Sequence, residues 1–165
     1  MIVLGIDPGT ALTGYGFIDL SPRGTLTAID YGVVETPSTM SMEMRLLQLY
    51  EGINEKILLH KPQRGAVEKL FFHRNVTTAI SVGQARGVIL LCLAEAGVEV
   101  AEFTPMEVKQ AVVGYGNADK KQVQIMVKAM LNLETIPKPD DAADALAIAI
   151  CCANSNLYLN LMKSA

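Results

Sequence analysis

The sequence predicts an α/β domain built on a sheet of about five strands. Three observations carry this. Residues 2–34 read as three apolar strands joined by short turns. From Ala66 onward, strands alternate with helices. Half of the 165 residues are hydrophobic, enough for one sizeable core. Residues 1–165 are read as a single domain, without repeats, linkers or low-complexity tracts.

Each element has a local reason. Ile2 to Asp7 is a short apolar run that ends in a carboxylate, and Pro8-Gly9 forces a turn after it. Leu12 to Leu20 is a second strand, Ser21-Pro22-Arg23-Gly24 a turn, and Leu26 to Val34 a third strand. Short turns between the three predict an antiparallel meander. An amphipathic helix is expected from Ser38 to Leu59, because Met42, Leu46, Leu49, Ile53 and Ile57 recur at helical spacing. Ala66-Val67-Glu68 is a short strand, again closed by a carboxylate.

A second helix, Val76 to Gly97, is apolar over much of its circumference. Ala79, Gly83 and Gly87 lie four apart on it and form one smooth stripe. Packing against the chain's own sheet is the expected use of that stripe; a contact with a second subunit is the alternative. Val98 to Phe103 is a strand. Thr104-Pro105-Met106-Glu107 is a strong helix start, with a capping box and Pro at the first position. Further helices are expected from Asp119 to Leu133 and from Asp140 or Asp141 onward.

Composition narrows the function classes. The formal charge is −3, from 14 basic and 17 acidic residues. Removing four carboxylates from the count leaves +1, so the global balance does not exclude a nucleic-acid partner. No apolar run approaches a membrane span, and the apolar start is too short for a secretion signal. Cys92, Cys151 and Cys152 form no CxxC pair, and they read as reduced core residues of a cytoplasmic protein.

The chemistry centres on Asp141-Ala142-Ala143-Asp144 at the head of the last helix. Positions three apart share a helix face, so the two carboxylates project side by side. An acidic first turn complementing the helix dipole is the plain alternative. Asp7 and Glu68, however, end two strands, and in open α/β sheets ligands bind beyond the carboxyl ends of strands. If those strands are neighbours and the last helix crosses their edge, Asp7, Glu68, Asp141 and Asp144 converge. Two Mg²⁺ ions would satisfy four such carboxylates, and Mn²⁺ also suits oxygen ligands. A two-metal site of this kind suits in-line phosphodiester hydrolysis.

The motifs together resemble the bacterial RuvC Holliday-junction resolvases. They are Gly5-Ile6-Asp7-Pro8-Gly9, Thr13-Gly14-Tyr15-Gly16, Val67-Glu68, Gly83-Gln84-Ala85-Arg86-Gly87, Val108-Lys109-Gln110 and the run from Asp141 to Ala147. The resemblance implies a ribonuclease-H-like fold with a five-stranded mixed sheet flanked by helices. It also implies a homodimer that cuts two opposed strands of a four-way DNA junction with Mg²⁺, in recombination and repair. The acidic quartet falls on Asp7, Glu68, Asp141 and Asp144. The family's stacking aromatic falls on Phe71, and stacking on an unpaired base is worth about 1–3 kcal/mol. Arg74 could reach a phosphate. Lys109 and Lys120 match lysines that approach the scissile backbone, Lys120 with a catalytic role. Some relatives carry His where this chain has Asp141, so no histidine base is carried over. Cooperation with the RuvA and RuvB branch-migration proteins is implied by the resemblance alone.

Three other readings share parts of this pattern. An ATP-binding phosphotransferase of the actin-like fold shares the Gly5 to Thr10 turn, but needs a second phosphate loop that the sequence lacks. A related nuclease acting on structured RNA shares the opening motif. A junction-binding module without activity needs no intact quartet.

Overall fold

The computed structural model describes residues 1–69 and 76–164, side chains at 76–78 and 156–164 excepted. β1 (Ile2–Asp7), β2 (Leu12–Leu20) and β3 (Leu26–Glu35) form the expected antiparallel meander. β4 (Arg64–Glu68) then pairs parallel to β1, and β5 (Glu99–Phe103) pairs parallel to β4. The order β3-β2-β1-β4-β5 makes a five-stranded mixed sheet. Among the described residues five helices flank it: α1 (Met42–His60), α2 (Val76–Glu95), α3 (Pro105–Val113), α4 (Lys120–Met130) and α5 (Asp140–Ser164).

Strand alternation sorts the core into two layers. Leu4, Ile6, Phe17 and Val67 face α1 and α2, packing with Leu49, Ile53, Ile57, Ile89 and Leu93. Val3, Ile18 and Ala66 face the other way, toward Leu146, Ile148 and Ile150 of α5 and toward α3 and α4. Gly5 and Gly14 lie where α5 crosses the sheet. A methyl group at Gly5 would overlap the Ala145 carbonyl and Ala149; one at Gly14 would overlap the Asp141 carbonyl. The helix therefore rests on bare strand backbone, and its first turn is held over the ends of β1 and β2.

Helix ends follow their caps. Thr104 and Glu107 form the expected capping box, and Gly114, with φ 92°, closes α3. A second box, Asp119 with Gln122, starts α4. α1 begins at Met42, later than expected, because Ser41 is extended and Met40 N–H closes a turn on the Pro37 carbonyl. All three cysteines are buried and none is in a disulfide.

The small-residue stripe on α2 departs from expectation. Among the described residues, no atom beyond the helix's own backbone and the chain neighbours lies within 4 Å of where a side chain at Gly83 or Gly87 would begin. The sheet instead meets Ala85, Ile89, Cys92 and Leu93. Placing the stripe on the sheet fails because the bulkier apolar residues supply far more burial. Ile80 and Leu91, at 60% and 51% exposure, share the open face with the two glycines.

Candidate active site

β1 and β4 are adjacent and parallel, with Ile6 beside Val67. Their next residues, Asp7 and Glu68, therefore end side by side at the carboxyl edge. Both point to the α5 face, being in phase with Val3 and Gly5 on β1 and Ala66 on β4. The first turns of α5 carry Asp141 and Asp144 to the same edge, both half-buried.

The electrostatics show how closely these groups meet. The Asp7 carboxyl is pushed up to about 8, first by burial, then by the charges of Glu68, Asp144 and Asp141, with Lys120 opposing. Glu68 is raised by burial and by Asp144, with Lys109 opposing. Burial also raises Asp144, in spite of a hydrogen bond from Lys120. That lysine donates to Asp144 Oδ2 at 2.9 Å, and the contact raises its own affinity for its proton. Among the described residues, the cations that serve the cluster are thus Lys109 on α3 and Lys120 at the start of α4, rather than Lys69 next to Glu68 in the chain. Glu68, Asp144, Lys109 and Lys120 line one cavity of about 260 Å³, whose apolar wall is Pro105, Val108, Val123, Ala147 and Ile148.

Among the described residues, no three His, Cys, Asp or Glu side chains as they stand close tightly enough to hold an ion. The donor set nevertheless fits hard divalent cations: all its donors are carboxylate oxygens, and three of the four are raised by mutual repulsion and burial. Phe71 and Arg74 lie outside the described residues.

Asp140 was not among the expected residues. It stands 3.6 Å from Lys120 Nζ and 2.9 Å from Lys138 Nζ, and the Lys138 contact holds its carboxyl below the usual range. Its spacing of four from Asp144 is the signal that would have found it, since that places both on one helix face with Lys120 between them.

The family model described as crossover junction endodeoxyribonuclease RuvC matches residues 3–152. The chain belongs to the RuvC family of crossover junction endodeoxyribonucleases. The family member from Desulfitobacterium hafniense is 57% identical over 165 residues, covering 100% of this chain and 99% of that protein. The Thermus thermophilus RuvC structure superposes with a TM-score of 0.88 at 36% identity, over 95% of this chain and 96% of the other. The structure of T. thermophilus RuvC in complex with Holliday junction substrate superposes at 0.86 with 33% identity, over the same shares. The RuvC fold, with its ribonuclease-H-like mixed sheet, is the architecture of this chain. None of its described helices is long and apolar enough to cross a membrane.

Proposed function

We propose that this chain, acting as one domain and as a homodimer in the cytoplasm, resolves four-way Holliday junctions in recombination and repair. The observation that carries the proposal is the meeting of Asp7, Glu68 and Asp144 with Lys109 and Lys120 at one sheet edge. It is supported by the T. thermophilus relative, which was solved with a Holliday junction substrate.

Asp7, Glu68, Asp141 and Asp144 are the residues that would hold two Mg²⁺ ions, with Mn²⁺ able to replace them. The metal would supply Lewis acidity, lowering the pKa of the attacking water and stabilising the leaving 3′ oxygen. Lys109 and Lys120 act as point charges on the scissile backbone. Lys120 is the more direct of the two: it already holds a carboxylate oxygen at 2.9 Å, and a phosphate oxygen offers the same charge and acceptor geometry. Phe71 stacks on an unpaired base at the junction and Arg74 takes a phosphate. The open face of α2, with Gly83 and Gly87 between Ile80 and Leu91, suits close approach to a second copy. A two-fold dimer presents two equivalent sites to strands of like polarity. The RuvA and RuvB branch-migration proteins are its proposed partners.

The test is cleavage of a synthetic four-way DNA junction with Mg²⁺ or chelator, beside Asp7→Asn. Paired symmetric nicks that need the metal and vanish in the variant are expected. Binding without cutting, or faster cleavage of structured RNA, would overturn the proposal.

A further inference from the structure

Arg86 sits inside the Gly83 to Gly87 motif, yet nothing in the reaction described above uses it. On α2 it falls on the flank between the sheet-facing residues and the open glycine face. Its side chain is largely covered, 19% exposed, and among the described residues its guanidinium makes two contacts. Nη2 pairs with Glu102 Oε2 of β5 at 2.8 Å. Nε points at the backbone carbonyl of Glu68 at 3.4 Å.

That carbonyl lies where the sheet runs out of donors. The backbone position that would donate to it across the ladder is Pro8, beyond the end of β1, which has no N–H. The ladder between β4 and β5 closes with the rung from Lys69 N–H to the Phe103 carbonyl, at 2.8 Å. Arg86 adds a side-chain fastening beyond that ladder, from α2 to β4 and β5 at once, and its planar fork suits two acceptors in a way that a lysine does not.

We propose that Arg86 is a positioning residue for Glu68, tying the end of β4 to β5 so that the Glu68 carboxylate stands level with Asp7. The inference rests on the reading of Glu68 as a metal ligand.

The experiment compares Arg86→Gln, Arg86→Lys and Glu102→Gln with the unaltered dimer, and takes Glu68→Gln as reference. Affinity for Mn²⁺ alone is measured by calorimetry without DNA. Single-turnover cleavage, junction affinity, sedimentation and thermal melting are measured in parallel. Loss of a group that orients a metal ligand lowers metal affinity or activity roughly ten- to a hundredfold. Arg86→Gln should show that loss in Mn²⁺ affinity and in the cleavage rate, with junction affinity and dimer state kept. Arg86→Lys should recover only part of it, and Glu102→Gln should shift the same way by less. Unchanged Mn²⁺ affinity in Arg86→Gln, while Glu68→Gln loses it, overturns the role of Arg86 alone. A fall in affinity that merely follows a lost folded fraction in the melts also overturns it. Unchanged Mn²⁺ affinity in Glu68→Gln itself overturns the metal-site reading and this proposal with it.

Discussion

Asp7→Asn should make the metal-free protein more stable while it abolishes cutting. The carboxyl of Asp7 is raised from 3.8 to about 8, by burial and then by three neighbouring carboxylates. The folded state therefore keeps a proton that the unfolded chain gives up near pH 4. Stability is fullest below the unfolded value and is lost as pH rises through the window up to about 8. At about 1.4 kcal/mol per pKa unit, the loss by pH 7 is roughly 4 kcal/mol. Partial solvent access to the site reduces this to about 2–3 kcal/mol. Asparagine has the same shape and no charge, so it should recover that amount. Urea melts of both proteins in chelator, from pH 5 to 8.5, read the difference directly. The gap should widen with pH and shrink when Mg²⁺ is added, because the ion stabilises only the form that can bind it. A variant less stable than the original at pH 8 in chelator would refute the reasoning, as would a gap that does not move with pH.

Three further outcomes are expected. Gly14→Ala places a methyl group against the Asp141 carbonyl and should cost about 3 kcal/mol in denaturant melts while lifting the first turn of α5; near-normal stability would show that the helix can shift freely. Among the described residues nothing beyond the helix's own backbone and the chain neighbours lies within 4 Å of a Cβ added at Gly87, so in Gly87→Arg the protomer should gain up to about 1 kcal/mol of helix stability while the dimer falls apart in sedimentation; an intact dimer would place the interface elsewhere. Asp30 is held below the usual carboxylate range because hydrogen bonds from Lys56 and His60, each at 3.0 Å, outweigh its burial. Its contribution is present above the unfolded value and lost as pH falls through the folded one. Asp30→Asn should therefore cost about 1 kcal/mol at pH 7, and the cost should shrink as pH falls through the folded value, read from melts at pH 7 and across the acid range.

Much of this architecture was legible because it is written locally. The strands ending at Asp7 and Glu68, the capping box at Thr104 and the Asp141–Asp144 pair each depend on residues within a few positions of one another. Parallel pairing of β1 and β4, once assumed, brings the two strand-end carboxylates together without further information. What local periodicity could not supply was which face of α2 meets the sheet. Small residues signal close approach but do not name the neighbour, and Ala85, Ile89 and Leu93 made the more favourable core face. The partners of Lys120 were hidden for a similar reason: its contacts with Asp140 and Asp144 join α4 to α5 across some twenty residues of sequence. The role of Gly5 and Gly14 appears only when the helix that lies on them is placed.

The pairing of Ile6 with Val67 also bears on how sequences of this kind can change in length. A strand reverses its facing with every residue. Deleting one residue within β4 would turn Glu68 away from α5 and into the layer of Leu93. Deleting two would restore the facing but set the carboxylate back by about 6–7 Å along the strand, out of step with Asp7. The turn around Ser21-Pro22-Arg23-Gly24 carries no such phase and can lengthen without consequence for the edge. Insertions and deletions should thus gather in that turn and in the segment between α4 and α5, leaving β1 and β4 fixed in length as well as in composition.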